Sequence, residues 1–325
     1  MKILFVNADA AKPQCAIYQA GLLYADALRF CESFDLTYYE ASSGKAEYLP
    51  DPTGYDAVIF NYQHVSMSIM PPEYFSYCRK AIGFLYEARL KPEQSPMHFG
   101  DQTCGQLFDI LMVPDPTMKP CRKREDKKWS VPRVVPRFPD HRNNNHPVWV
   151  GTFGFPSPWK ALDDIVRMMN DEYPEAVFRL NFAPASHQDG TGLQEMMESF
   201  ANDLRGIAKP GIEIRFSQEY MDQDRLIKWL AQNSVNVFLA KEQRSIETGG
   251  ALLASTDMAI AARKPIMVSP TLEARHLSQL CYPSLKDAER GQGTIVGNGD
   301  VDRLYESWTP QNFAARVDEL VRGHL

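Results

Sequence analysis

At 325 residues the chain exceeds what one hydrophobic core usually organises, so two domains of roughly 150 residues each are expected. Its 44% apolar and 23% charged residues exclude general disorder, and a formal net charge of −6 excludes a general affinity for nucleic acid or anionic membrane. No apolar stretch is long enough to cross a bilayer, and the six cysteines (Cys15, Cys31, Cys78, Cys104, Cys121, Cys281) form no C-x-x-C pair, which argues against a disulfide framework or structural zinc.

Residues 2–7 are too short an apolar run for a signal-peptide core and read as a buried first strand, so a cytoplasmic, reducing compartment is expected. Ile17, Leu22, Leu23, Ala27 and Leu28 then recur at helical spacing. Short strands are expected at residues 36–40, 57–62, 81–87 and 110–113, each bounded by Gly, Pro or Asp. Continuous apolar strands of this kind are buried on both faces, as in a parallel sheet covered by helices. Residues 119–128 carry six basic and two acidic side chains, either a solvated loop or a surface for a polyanion. Four prolines and the polar run 140–145 mark residues 132–147 as a linker.

The alternation resumes in the second half. Strands are expected at 148–151, 176–181, 212–216, 235–239 and 265–268, and helices near 158–170, 193–207, 222–231 and 250–262. A last helix, about 309–321, sets Phe313, Val317 and Leu320 on one face. This is a βαβ succession with right-handed crossovers.

Open α/β sheets bind ligands at the carboxyl ends of their strands, so the loops there hold the candidate residues. Gly151 and Gly154 would let backbone approach a ligand, and the helix expected next would place Lys160 in its first turn. A cation there opposes the helix dipole unless an anion is near; the plain alternative is an exposed lysine beside a proline-rich cap. Glu247, Gly249 and Gly250 open a second loop-to-helix element in which Asp257 would bind a ribose diol or face solvent. Arg275, with its planar fork for phosphate, and His276 follow the strand at 265–268. In the first half, His64 and Glu87 end two strands as candidate catalytic groups, although a histidine so placed is often structural. There is no G-x-G-x-x-G, Walker loop, G-x-S-x-G elbow or H-E-x-x-H pair, and the histidines are too scattered to indicate a metal site.

At these residues the sequence resembles the GT-B glycosyltransferases. The run Gly151-Thr152-Phe153-Gly154 through Trp159-Lys160 is similar to the start of their donor-binding domain, which in retaining members reads Val-Gly-Arg-x-x-x-x-Lys-Gly. The stretch from Ser255 to Ile266 resembles their Glu-Ala-Met-Ala-x-Gly-x-Pro-Val segment, and Asn7-Ala8-Asp9 with Cys15–Gln19 is similar to acceptor-side loops. The resemblance implies an α/β fold of two Rossmann-like domains whose parallel sheets face a central cleft. Residues 1–140 would form the acceptor domain and 141–325 the donor domain, with the last helix packing back on the first domain. It implies transfer of a sugar from a nucleotide-diphosphate donor such as UDP-sugar, with neither metal nor other cofactor. Lys160 would hold the diphosphate, Glu247 or Asp257 the ribose, Gly249 and Gly250 the phosphate, and His64 the transferred sugar. Thr152 stands where the family has its phosphate-binding arginine, a role Arg275 would take over in space; Ser255 stands where a second glutamate is usual, and Arg263 replaces a common glycine. The acceptor would be a saccharide or a lipid-linked molecule, with nucleic acid as a less favoured alternative if residues 119–128 border the site. A second reading is a GT-B protein that binds a sugar, nucleotide or partner without transfer.

Overall fold

Alternate residues of the first strand are buried in two different cores. The computed structural model describes residues 1–7, 16–41, 49–61, 70–84, 98–99, 102–103, 107–118, 128–139, 147–154, 159–183, 190–241, 255–291 and 299–324. In β1 (Lys2–Asn7), Ile3 and Phe5 join one apolar cluster while Leu4 and Val6 join another. The same split runs through β3 (Ala57–Asn61), with Ala57 and Ile59 on one side and Val58 and Phe60 on the other. Because successive side chains point to opposite faces, a strand covered on both must be apolar throughout.

The chain divides into two compact units, Met1–Val134 with Trp308–Leu325, and Val135–Thr248 with Leu253–Ser307. The first holds β1, β2 (Asp35–Glu40), β3, β4 (Ala81–Phe84), β7 (Ile110–Val113) and β8 (Lys128–Ser130), paired in parallel in the order β2-β1-β3-β4-β7-β8. A separate antiparallel pair is formed by β5 (His98–Phe99) and β6 (Gln102–Thr103). Helix α1 (Ala16–Leu28) covers one sheet face, and α2 (Pro72–Ser76) contributes Tyr74 and Phe75 to the opposite core.

The second unit holds β9 (Val148–Phe153), β10 (Ala176–Asn181), β11 (Ile212–Ser217), β12 (Val235–Phe238) and β13 (Ile266–Val268), all parallel, in the order β11-β10-β9-β12-β13. Its helices are α3 (Leu162–Glu172), α4 (Gly190–Ile207), α5 (Gln223–Ala231), α6 (Ser255–Ala261), α7 (Leu285–Arg290) and α8 (Asp300–Ser307), with a 3-10 segment at Leu272–Leu280. Asp222 is not helical but caps α5, accepting from Arg225 N at 2.9 Å. Glu172, the last residue of α3, accepts from the first two amides of α7, Leu285 N at 3.0 Å and Lys286 N at 2.8 Å.

The last helix, α9 (Pro310–His324), belongs to the first unit. Phe313, Val317, Leu320 and Val321 are buried there, and the Phe313 ring lies 4.8 Å from Tyr24 of α1 and 5.6 Å from Phe84 of β4. Burial of a ring this size is worth about 2 kcal/mol or more.

Several expected boundaries shift. β9 runs on to Phe153 through Gly151, because strand geometry rather than a turn is what that glycine serves. A Cβ at Gly151 would fall 1.9 Å from Asn233 Nδ2, so this glycine makes room for a buried asparagine of its own unit and not for a ligand. The helix expected near 158–170 starts at Leu162, with Ala161 as its cap residue. Lys160 is therefore outside the helix, and Asp163 and Asp164 occupy the first turn, where carboxylates suit the dipole. The described parts of β4 and β3 reach Phe84 and Asn61, the residues expected to continue them lie outside the described residues, and the described helix in the 250–262 region is Ser255–Ala261. The described part of the proline-rich linker is packed down: Val134 and Val135 are buried, and Tyr305 OH bonds both Phe138 N (3.1 Å) and Phe138 O (3.3 Å).

Arg263, which replaces the glycine of the resembled motif, has φ 53° at the end of α6. Its side chain offsets that conformation: Nε bonds Asp302 Oδ1 at 2.7 Å, and the guanidinium lies 5.0 Å from the Tyr305 ring centre. Alanine would keep the left-handed cost and lose both contacts, whereas glycine would lose the contacts only. Arg263→Gly is therefore expected to be more stable than Arg263→Ala by about 1 kcal/mol in urea unfolding; equal stabilities would contradict this account.

Candidate functional site

Open parallel sheets bind ligands at the carboxyl ends of their strands where the strand order reverses, and each unit has one such place. In the second unit it lies between β9 and β12. Residues 159–161 are tied across this point. Lys160 forms an antiparallel bridge with Ala240, Lys241 N donates to Trp159 O at 2.8 Å, and Ala161 N donates to Leu239 O at 3.2 Å. Ser269, just after β13, fixes the same edge by accepting from Ala240 N at 2.8 Å.

From this anchor the Lys160 side chain reaches back to β9. Its Nζ donates to Phe153 O at 3.0 Å and sits 5.4 Å from the Phe182 ring centre. Gly154 follows β9 with φ 116°, which glycine alone adopts without strain, and a Cβ there would lie 3.4 Å from the ammonium. Gly154 N donates to Asn181 O at 3.2 Å, joining the ends of β9 and β10. The structure thus brings Gly154 and Lys160 together, with the Lys160 backbone against the end of β12 and its ammonium beside the end of β9 and Phe182, just after β10.

The other residues expected on the donor side are spread over neighbouring elements. Thr152 is buried within β9. Asp257 is half-buried in the first turn of α6, where its carboxylate suits the helix dipole. Arg275 is half-buried and His276 buried in the 3-10 segment after β13. His64, Glu87, Glu247, Gly249 and Gly250 lie outside the described residues, as do 119–127 of the basic run. Among the described residues no group of three or more His, Cys, Asp or Glu is arranged to hold a metal ion, and no helix is long and apolar enough to cross a membrane.

The first unit's reversal lies between β1 and β3. Three neighbouring strands, β2, β1 and β3, end in Glu40, Asn7 and Asn61, and Glu40 and Asn7 are register partners. Asn61 Nδ2 donates to Asn7 Oδ1 (2.6 Å) and to Ile17 O (2.7 Å). Asn7 Nδ2 donates to Tyr18 O (3.1 Å) and to Tyr38 Oη (3.0 Å). Both phenols then donate to Glu40 Oε1, Tyr18 at 2.8 Å and Tyr38 at 3.0 Å. Burial, reinforced by the Glu40 carboxylate, pushes the Tyr18 phenol up to about 12 and moves Tyr38 in the same direction, so both remain donors at neutral pH. Glu40 drew no notice in the sequence. The available signal is an amide closing an apolar run, seen in β3 and, after Lys2, in β1.

Two Rossmann-like units, each a parallel sheet with interleaved helices, define the GT-B fold of glycosyltransferases. Solved structures of that class match nearly the whole chain. HepE of Anabaena, in complex with UDP-glucose, is 11% identical over 99% of this chain and 98% of that chain, with a TM-score of 0.56. The trehalose-6-phosphate synthase OtsA is 9% identical over 99% of each chain (TM-score 0.63), and the lipopolysaccharide outer core galactosyltransferase WaaB is 11% identical over 100% of each (TM-score 0.55). At such identities the likeness is one of fold. No family model matches the sequence, and no curated protein does.

Proposed function

We propose that the protein is a glycosyltransferase that takes a sugar from a nucleotide-diphosphate donor, UDP-sugar foremost, and passes it to a hydroxyl of a saccharide or lipid-linked acceptor. The observation that carries this reading is Lys160, whose backbone is bridged to Ala240 beside the β9/β12 switch point and whose ammonium sits at the end of β9 beside Gly154. In the reaction the bond between the anomeric carbon and the diphosphate oxygen breaks, a bond to the acceptor oxygen forms, and the acceptor hydroxyl gives up its proton. Negative charge gathers on the departing diphosphate, and a fixed cation in a water-poor crevice stabilises that charge most as the bond breaks. Lys160 would supply this counter-charge without a metal ion. Gly154 keeps side-chain bulk away from the approaching phosphate; Arg275, Asp257, Glu247, Gly249 and Gly250 are the further donor-side residues, with Thr152 and His276 beside them. His64 and Glu87 are the groups proposed to orient the transferred sugar and to accept the proton. The UDP-glucose held by HepE supports the uridine donor.

Calorimetric titration with UDP tests this. Binding is expected, and Lys160→Ala should weaken it at least tenfold, equivalent to about 1.4 kcal/mol. An intact protein that binds neither UDP nor GDP would overturn the proposal. Binding of UDP-sugar without release of UDP, with any acceptor, would instead mark a binding protein.

A further inference from the structure

We propose that the first unit carries a separate ligand site, at the amino end of its sheet, for a free amino acid with a large apolar side chain. The site is a recess of about 560 Å³ between the α1–β2 turn and α9, a volume in the small-molecule range. The turn leads into β2, whose first residue Asp35 is the register partner of Lys2. The recess is therefore at the opposite end of the strands from Asn7, Glu40 and Asn61, apart from the first unit's switch point. It does not rest on the glycosyl-transfer reading.

α9 lines the recess with Gln311, Ala314, Ala315, Asp318 and Arg322, at the three- and four-residue spacing of one helix face. The two alanines in mid-stripe leave room that longer side chains would fill. Phe30 borders the same space and is 55% exposed. A lone exposed phenylalanine would be ordinary, but this one shares a recess with the alanine methyls. Beyond them the lining turns polar. Asp318 Oδ1 accepts from Ser33 Oγ at 2.7 Å and from Arg322 Nε at 2.8 Å, which ties the turn to the helix. The second bond also orients the guanidinium, and among the described residues its η nitrogens make no hydrogen bond. Those nitrogens form the fork that suits a carboxylate. Glu32, next to Ser33 and exposed, also lines the recess and has neither an ion pair nor a hydrogen bond among the described residues.

Internal bonding thus explains Asp318 and leaves over a donor fork, a carboxylate and an apolar surface. A simple anion would meet Arg322 but would be set against Glu32 and Asp318. A simple cation would meet Glu32 but would be set against Arg322. A molecule bearing both charges answers both, and an apolar side chain lets it cover Phe30 and the alanines as well. An α-amino acid such as phenylalanine or leucine has these three parts on one carbon.

The test uses the full chain with L-phenylalanine and L-leucine, by ligand-observed saturation-transfer NMR and calorimetry. Two controls each lack one charge: 3-phenylpropionate has no ammonium and phenethylamine no carboxylate. At least one amino acid should bind, and L-phenylalanine should bind about tenfold more tightly than either control, the scale of one charge-assisted hydrogen bond. Arg322→Gln and Glu32→Gln should each weaken binding by a similar factor. Both side chains are exposed, so the melting temperature should change little. Ala315→Trp, at an exposed helix position, fills the recess and should abolish binding in a folded protein. The proposal is overturned if neither amino acid binds, if a control binds as tightly as L-phenylalanine, or if any of the three variants binds as the parent does.

Discussion

Gly21→Ala is expected to lower the unfolding free energy by about 2 kcal/mol, even though alanine is the better helix former. A Cβ at this position in α1 would fall 1.8 Å from Asn7 Oδ1 and 2.3 Å from Asn61 Nδ2. Helix propensity favours alanine by about 1 kcal/mol. Against this, overpacking costs about 1–3 kcal/mol, and displacing buried amides from their partners costs about 1–3 kcal/mol more. The amides are already committed: Asn7 bonds Tyr18 O of α1 and Tyr38 Oη, and Asn61 bonds Asn7 and Ile17 O of α1, so a shift of either breaks a buried bond. The steric side wins. Urea denaturation of Gly21→Ala beside Gly54→Ala makes the comparison, because a Cβ at Gly54 meets nothing within 4 Å. If the two variants unfold at the same denaturant concentration, the close seating of α1 on the amide pair is wrong.

The second large effect is expected at Arg179, on β10. Its guanidinium is sandwiched between two indoles, 4.5 Å from the ring centre of Trp149 and 4.5 Å from that of Trp229. Its fork also bonds Asn233 Oδ1 at 2.7 Å and Gln232 Oε1 at 3.1 Å. Burial, with the neighbouring Arg215 second, lowers its pKa to about 10, which still leaves it charged at neutral pH. Removing the side chain deletes two stacked contacts, each worth roughly 0.5–2 kcal/mol, and strips a donor from a fully buried asparagine, a further 1–3 kcal/mol. Arg179→Ala should therefore destabilise the second unit by about 3 kcal/mol. Lysine carries the charge but cannot bond Asn233 and Gln232 while stacked between two rings, so Arg179→Lys should recover less than half of the loss. A lysine variant as stable as the parent would show that charge, not planarity, is what the site uses.

How far the sequence exposes these features depends on whether their cause is local. β1, β3 and β7 are readable because burial on both faces writes an apolar run into consecutive residues. β8, with the sequence Lys-Trp-Ser at the end of a basic run, carries no such record; its pairing with β7 is what makes it a strand. Gly151 looks like a turn until Asn233, 82 positions away, explains its missing side chain. Lys160 stands out in the sequence as a cation at an expected helix start, yet it precedes the helix, so the dipole is not what selects it. Its place is set by Ala240, through a bridge that no spacing rule links to residue 160. The Glu40 edge escaped notice because neither tyrosine nor glutamate is unusual in its own segment; only the adjacency of β2, β1 and β3 makes them a group.

The place of α9 bears on how the chain reaches its folded state. A ribosome delivers β1 first and α9 only after the whole of the second unit has been made. Until then the sheet face that takes Phe313, Val317, Leu320 and Val321 lies open, with Tyr24 and Phe84 lacking their stacking partner. Among the described residues the apolar core of the second unit takes no side chain from α9. For this protein the part that begins first is the part that finishes last, and during that interval the exposed face is where chaperones or unwanted neighbours would bind.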